Sequence, residues 1–214
     1  MPAPEKLAAL RHLLAERFPS ATPAGARARA LATGIPAIDA VAGGLPLSAV
    51  TEVVCAAPSC GSQLLVGELL ATTRAARTRV ALVDGHDSFD PASFSDDLVA
   101  HLVWVRCHAT AEALQAVDLL ARDANLGLVI LDLRRASDAE VRRTPSPQWY
   151  RLQRAVEPTD LALVVITPRA TVASAQLRLV LDTSQPAAAL GTERQAIAAA
   201  VAPAVQRQRL AAAG

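Results

Sequence analysis

Leu128, Val129, Ile130 and Leu131 form one unbroken apolar run, and Leu163, Val164, Val165 and Ile166 form another. Successive side chains of a strand point to opposite faces, so a strand that is apolar throughout has to be covered on both sides. Parallel sheets wrapped by crossover helices are where such strands occur. Residues 126–131 and 161–167, which contain the two runs, are predicted strands, together with 50–56, 79–84, 102–105 and 176–181. Residues 64–76, 110–122 and 147–155 are the predicted helices between them. This alternation predicts a doubly wound α/β architecture, a mostly parallel sheet flanked by helices.

The chain has 214 residues, 52% of them hydrophobic, and a formal net charge of +1, which fits one sizeable domain with small appendages. Arg, Asp or His interrupts every apolar stretch before the roughly 18–20 residues of a membrane span. Residues 1–18 lack the continuous apolar core of a secretory signal, so the expected location is cytoplasmic, with no membrane association. Leu7, Leu10, Leu13, Leu14 and Phe18 recur at intervals of three and four and predict an N-terminal helix over 1–18. Its leucines Leu7, Leu10 and Leu14 are candidates for a contact with a partner or a second copy of the chain, against the alternative of packing on its own domain. Residues 19–30, rich in Ala, Pro and Gly, read as a linker, 31–190 as the core domain, and 191–214 as a C-terminal helix broken at Pro203 or a frayed tail. In that last stretch Arg194, Arg207 and Arg209 offer a second partner-binding element.

Cys55, Cys60 and Cys107 are odd in number and carry no C-x-x-C spacing, which points to small buried residues rather than disulfides. A metal site from Cys107, His108 and His86 matches no zinc spacing, and no metal or other cofactor is expected. Near-neutral charge argues against a dominant nucleic-acid role.

Thr33, Gly34, Ile35, Ile38 and Asp39, followed by Gly43, Gly44, Leu45 and Pro46, spell T-G-x-x-x-x-D ahead of G-G-L-P. Asp84, then Asp90 and Pro91, follow the second predicted core strand, and Asp132 ends an apolar one. On these residues the segment 31–133, and more weakly the chain through Asp182, resembles the RecA recombinase family. The resemblance implies a RecA-like fold of the P-loop NTPase type, with Asp132 at the Walker B position. It also places the phosphate-binding loop at residues 56–63, A-A-P-S-C-G-S-Q, where the motif requires G-x-x-x-x-G-K-[ST]. Ala56 replaces the first glycine and Gly61 is kept, but Ser62 stands for the Lys and Gln63 for the Mg²⁺-binding hydroxyl. The Lys and the metal supply most of the electrostatic stabilisation in phosphoryl transfer, so a degenerate nucleotide site without hydrolysis is expected. His86 stands where the resemblance puts the catalytic Glu, and Thr167 and Pro168 where it puts a γ-phosphate-sensing pair. Two readings of the retained residues stay open. Gly61, Asp84 and Asp132 serve local structure, as turn former and caps, or they keep weak anion binding at the start of the following helix. No catalytic residue is assigned.

The family contacts single-stranded DNA through two loops. The first corresponds to residues 134–147, which carry Arg134, Arg135, Arg142 and Arg143, and the second shrinks to 168–174. The arginines are candidates for a weak DNA contact or an acidic partner, against a plain solvated loop. Trp149 and Tyr150 beside them are either an interface anchor or the start of a helix with its rings in the core. Residues 31–52, with T-G-I-P-A-I-D, G-G-L-P and V-T-E-V, are most similar to ImuA-type proteins, small RecA-like partners in bacterial mutagenesis cassettes of the SOS response. That similarity implies a non-catalytic accessory role in DNA damage and translesion synthesis, with RecA and a polymerase-like subunit as partners. Two further classes stand beside it: a SulA-like inhibitor of cell division, and a divergent nucleotide-binding RecA-family ATPase.

Overall fold

The computed structural model describes residues 29–208. One sheet is built from seven strands: β3 (Ala49–Cys55), β4 (Arg79–Asp84), β5 (Leu102–Arg106), β6 (Leu126–Asp132), β7 (Ala162–Thr167), β8 (Leu177–Leu181) and β9 (Ala204–Gln208). Across the sheet they run in the order β5-β4-β6-β7-β3-β8-β9. Every neighbouring pair is parallel except β8 and β9. The α/β architecture with a mostly parallel sheet is therefore as the sequence predicts.

The two apolar runs divide between the two faces. Val129, Leu131, Leu163 and Val165 pack with α4 (Thr110–Leu120) and α6 (Ser146–Val156), while Leu128, Ile130, Val164 and Ile166 pack with α2 (Ser62–Ala75). Each side chain buried in this way contributes roughly 1.5–3 kcal/mol, so neither face tolerates polar replacement in these strands. Trp149 is among the largest buried side chains. Its ring belongs to the α6 side of the core, and it is not an interface anchor.

The T-G-x-x-x-x-D and G-G-L-P motifs make a local clamp. Both Asp39 carboxylate oxygens accept from the Thr33–Gly34 turn, including the Thr33 N–H and hydroxyl at 2.9 Å each. Asp39 lies in α1 (Pro36–Ala42), which ends at Gly43. Gly44, at φ 100°, brings the chain so close to Leu31 that a Cβ would lie 2.6 Å from its carbonyl oxygen. There β1 (Ala30–Leu31) pairs antiparallel with β2 (Leu45–Pro46).

Besides β1, α1 and β2, the structure departs from the sequence reading in three further places. The basic stretch 134–147 is not all loop, because Ser137 and Glu140 form a capping box that starts α5 (Asp138–Arg143). A one-turn helix, α3 (Asp96–Val99), precedes β5. The C-terminal stretch is not a broken helix. The six-residue α7 (Arg194–Ala199) ends at its C-cap Ala200, ahead of Pro203, and Val205 and Arg207 then alternate with exposed neighbours along β9. The Ala-rich composition suggested a helix, but the free edge of β8 supplies backbone partners that composition does not reveal. The predicted helix over 1–18 with Leu7, Leu10 and Leu14, the linker up to Ala28, and Arg209 lie outside the described residues.

Candidate functional site

Parallel strands end on the same edge, and that edge gathers residues far apart in sequence. Asp84 pairs in register with Asp132, and Thr167 with Val54, so the C-terminal ends of β4, β6, β7 and β3 stand side by side. In open α/β sheets this edge is where ligand sites form. The loop 56–63 rises from it between β3 and α2.

Gly61 is the N-cap of α2 at φ 90°, a left-handed conformation that glycine adopts without strain. The turn is roofed by the C-terminal segment: a Cβ at position 61 would lie 2.9 Å from Val201, which is itself buried. Arg194, expected to face a partner, instead donates to the Gln63 carbonyl at 3.2 Å and lies over the Phe94 ring. Arg207 also folds back, donating to the carbonyls of Ala173 and Ala175.

The space between the loop and β6 is occupied by Arg134. Its Nη2 lies 2.9 Å from Asp132 Oδ2 and its Nη1 donates to Ser62 Oγ at 3.3 Å. Gln63, with its amide oxygen turned so that donors meet acceptors, accepts from the same guanidinium. Nη2 also reaches Ser88 Oγ at 3.5 Å. The Arg134 side chain is 14% exposed and that of Asp132 is 1% exposed. Arg134 is therefore not on the surface with the other arginines of its stretch. Burial pushes the Asp132 carboxyl upward, and the Arg134 charge and backbone N–H pull it back. Asp132 Oδ2 has an ion-pair distance without hydrogen-bond geometry, which leaves that oxygen without a proper donor.

The other predicted site residues have local work. Asp84 accepts from Phe89 N at 2.7 Å and from Ser88 Oγ and His86 N, so it shapes the turn after β4. His86 Nε2 meets Glu140 Oε1 at 3.2 Å. Glu140 is held at about 2 chiefly by the Ser137 hydroxyl and N–H, with His86 adding to the effect. Thr167 Oγ1 donates to Glu52 Oε1 at 3.0 Å. Ala56 is exposed at the base of the loop. Among the described residues no three His, Cys, Asp or Glu side chains converge on a point, and His86, Cys107 and His108 are not brought together.

Outside the pocket, Arg135, Arg142 and Arg143 are exposed, and Arg142 lies 3.6 Å from Asp138. Tyr150 is 48% exposed and lines an open cleft of about 620 Å³ with Arg122, Arg151 and Arg154. Asp118 pairs with both Arg122 and Arg151, whereas Arg154 has no ion pair among the described residues. The cleft therefore carries excess positive charge.

Glu52 escaped the sequence reading. It is fully buried on β3 and accepts from Thr167 Oγ1, the N–H groups of Thr171 and Val172, and Arg178 Nε. A glutamate in the middle of a strand whose only other polar residue is Thr51 was the available signal.

Among the described residues no helix is long and apolar enough to cross a membrane. No protein-family model matches this chain, and no curated protein shows significant similarity to it.

Proposed function

We propose that this chain is a non-catalytic RecA-like protein that serves as an accessory in damage-induced mutagenesis, binding RecA and a polymerase-like subunit. The observation that carries the non-catalytic part is Arg134. Its guanidinium, which stays charged at any working pH, stands between Asp132 and the loop residues Ser62 and Gln63. A metal ion held by Asp132 and a phosphate cradled by the loop would both have to displace it. The Val201 roof over Gly61 hinders an approach from the other side. The RecA-like part is supported by the parallel sheet and by the convergence of loop 56–63, Asp84 and Asp132 on one edge.

With the pocket occupied by the protein's own side chains, partner contact falls to the surface. The cleft with Tyr150 and Arg154 joins an aromatic ring to excess positive charge, the pairing that favours an acidic segment of a partner.

The test is a titration with a fluorescent ATP analogue and Mg²⁺, run beside a pull-down on RecA from the same cell with wild type and Arg154→Glu. No nucleotide signal, with RecA retained by wild type and weakened in the variant, is the expected result. Micromolar nucleotide binding would favour the divergent ATPase instead, and failure of wild type to retain RecA overturns the mutagenesis role.

A further inference from the structure

The cleft with Tyr150 and Arg154 continues beyond those residues. Arg151 lines it and also an adjoining cavity of about 320 Å³ bordered by Leu119. Gln115 and Gln148 line that cavity together with a third one, also of about 320 Å³, which reaches Thr110 and Arg143. The openings are therefore one groove between α4 and α6, from the N-terminal ends of both helices to their C-terminal ends. Over the 11 residues of α4 it runs about 16 Å. Leu114, Leu152 and Ala155 are buried along it and give it an apolar floor. Two large side chains stand unburied on its walls, Leu119 from α4 at 73% exposure and Tyr150 from α6 at 48%. A single exposed leucine is ordinary, but one aligned with a tyrosine over an apolar groove marks an interaction surface. Arg122, Arg143, Arg151 and Arg154 line the groove against Asp118 and Glu140, and Glu140 is already engaged by Ser137 and His86.

These features set the chemistry of the occupant. The walls are helices whose backbone groups are paired internally, so an extended peptide finds no ladder to join. A helix brings its own backbone bonds and needs an apolar face to lay in the groove. The excess of arginine makes its other face acidic. Charge argues against the chain's own ends: residues 1–28 carry Lys6, Arg11, Arg17 and Arg27 against Glu5 and Glu16, and residues 209–214 carry Arg209 and no acidic side chain. A second copy offers the acidic stretch 87–97, but Asp87 and Asp97 are paired with Arg106 and Arg74, and Asp90 caps the turn that follows it. The helix there, α3, has four residues and is too short to fill the groove.

We propose that the α4–α6 groove binds an acidic amphipathic helix of a protein partner, whose apolar face lies between Leu119 and Tyr150 and whose carboxylates meet Arg122 and Arg154. The proposal rests on the reading that partner contact falls to this surface, and it names the form of that contact. Arg154, without an ion pair among the described residues, is the first anchor for a partner carboxylate. Arg122 and Arg151 share Asp118, so one of them can turn to the partner without stranding that aspartate.

Fluorescence anisotropy with synthetic peptides tests this on the full-length protein in the absence of RecA. Three labelled peptides of about 14 residues carry Leu, Met or Phe at positions i, i+4 and i+7, and Glu on the remaining face. At least one should bind with a Kd below about 100 µM and gain helical circular dichroism as it does. A scrambled version without an apolar face, and a version with Lys in place of Glu, should each bind at least about tenfold more weakly. Leu119→Ser and Arg154→Glu, both at exposed positions, should each weaken the best peptide by about fivefold to tenfold and leave the urea midpoint in place. Equal binding of the scrambled or the Lys peptide, binding that both variants leave unchanged, or no signal from any acidic peptide overturns the proposal. Light scattering on the chain alone should give the same mass for wild type and both variants. A dimer that each variant dissociates would make a second copy the occupant and overturn the proposal as well. A failed RecA pull-down beside discriminating peptide binding overturns the mutagenesis role alone, so the two readings fail separately.

Discussion

Glu52 with Arg178 and Asp132 with Arg134 are two buried carboxylate–guanidinium pairs in one sheet, on β3 and β6, and they are built to opposite standards. Glu52 has four donors, two of them backbone N–H groups of the short connection after β7. Arg178 in turn donates to the Val172 carbonyl, so both partners tie the connection between β7 and β8 to the sheet. Asp132 has the Arg134 backbone N–H on Oδ1 and only a poorly angled guanidinium on Oδ2. A buried pair stabilises when hydrogen bonds satisfy the remaining lone pairs, and otherwise desolvation cancels the attraction. The first pair is framework. The second lies at the strand edge where ligand sites form in open α/β sheets, and one of its carboxylate oxygens lacks a well-angled donor.

The comparison predicts its largest effect at Glu52. Glu52→Ala strips the partner from Arg178, Thr167 and two backbone N–H groups together, and should cost about 3–5 kcal/mol of unfolding free energy. Urea denaturation followed by far-UV circular dichroism measures it. A loss below that of the Asp132 pair would break the ranking.

Arg134→Met should cost less, about 1–3 kcal/mol at neutral pH, because Asp132 can relieve its isolation by taking a proton. The sign is opposite to that of an ordinary salt-bridged acid. The folded Asp132 carboxyl is already raised by burial, and removing Arg134 raises it further. A carboxyl raised in the folded state binds more protons folded than unfolded. Stability is therefore highest below the unfolded value, near 4, and declines as pH rises towards the folded one. The deficit of Arg134→Met relative to wild type should grow between pH 5 and pH 8. An equal deficit at both ends would show that Asp132 stays charged without its partner.

The sheet and its three long helices were legible in the sequence because their signal is periodic and local. Apolar runs set the strands, and the longer stretches that alternate with them set the helices. The C-terminal ends of β4 and β6 were legible through Asp84 and Asp132 as well. What Arg134 does was not, because an arginine in a basic stretch looks the same whether it points to solvent or to a carboxylate two residues earlier. Its inward turn comes from the β6 edge and from the polar Ser62 and Gln63 opposite, which meet it only in three dimensions. For Trp149 the sequence allows an interface anchor beside the commoner place in the core, and the apolar face of α6 decides for the core. Strand β9 was masked by alanines that favour helix, and only the unpaired edge of β8 explains it.

Gly61→Ala tests whether the pocket edge is closed from outside as well as within. Position 61 needs φ 90°, and an added methyl meets Val201 at 2.9 Å, so strain and overpacking together should cost about 1–2 kcal/mol. Val201→Ala removes the overpacking but not the strain. Combining the two should therefore recover part of the loss, as a double-mutant cycle would show. Full additivity would mean that Val201 does not roof the turn.

The smallest effect belongs to Glu140, at the rim of the same pocket. The Ser137 hydroxyl and N–H hold its carboxyl at about 2, below the ordinary carboxylate range, with His86 assisting. A carboxyl depressed in the folded state contributes stability above the unfolded value, near 4.3, and loses it as pH falls towards the folded one. The side chain is 33% exposed, so solvent screens the interaction, and the contribution at neutral pH should not exceed about 1 kcal/mol. Glu140→Gln keeps the shape of the capping box and removes the charge. Its urea midpoint should fall slightly below that of wild type at pH 7, and the two should converge as pH drops from 4.5 towards 2.5. His86→Asn separates the two causes: it should leave most of the pH dependence in place, because the cap at Ser137 dominates. If His86→Asn abolishes it, the imidazole holds Glu140, and the rim is tied to the turn after β4 more tightly than to its own helix.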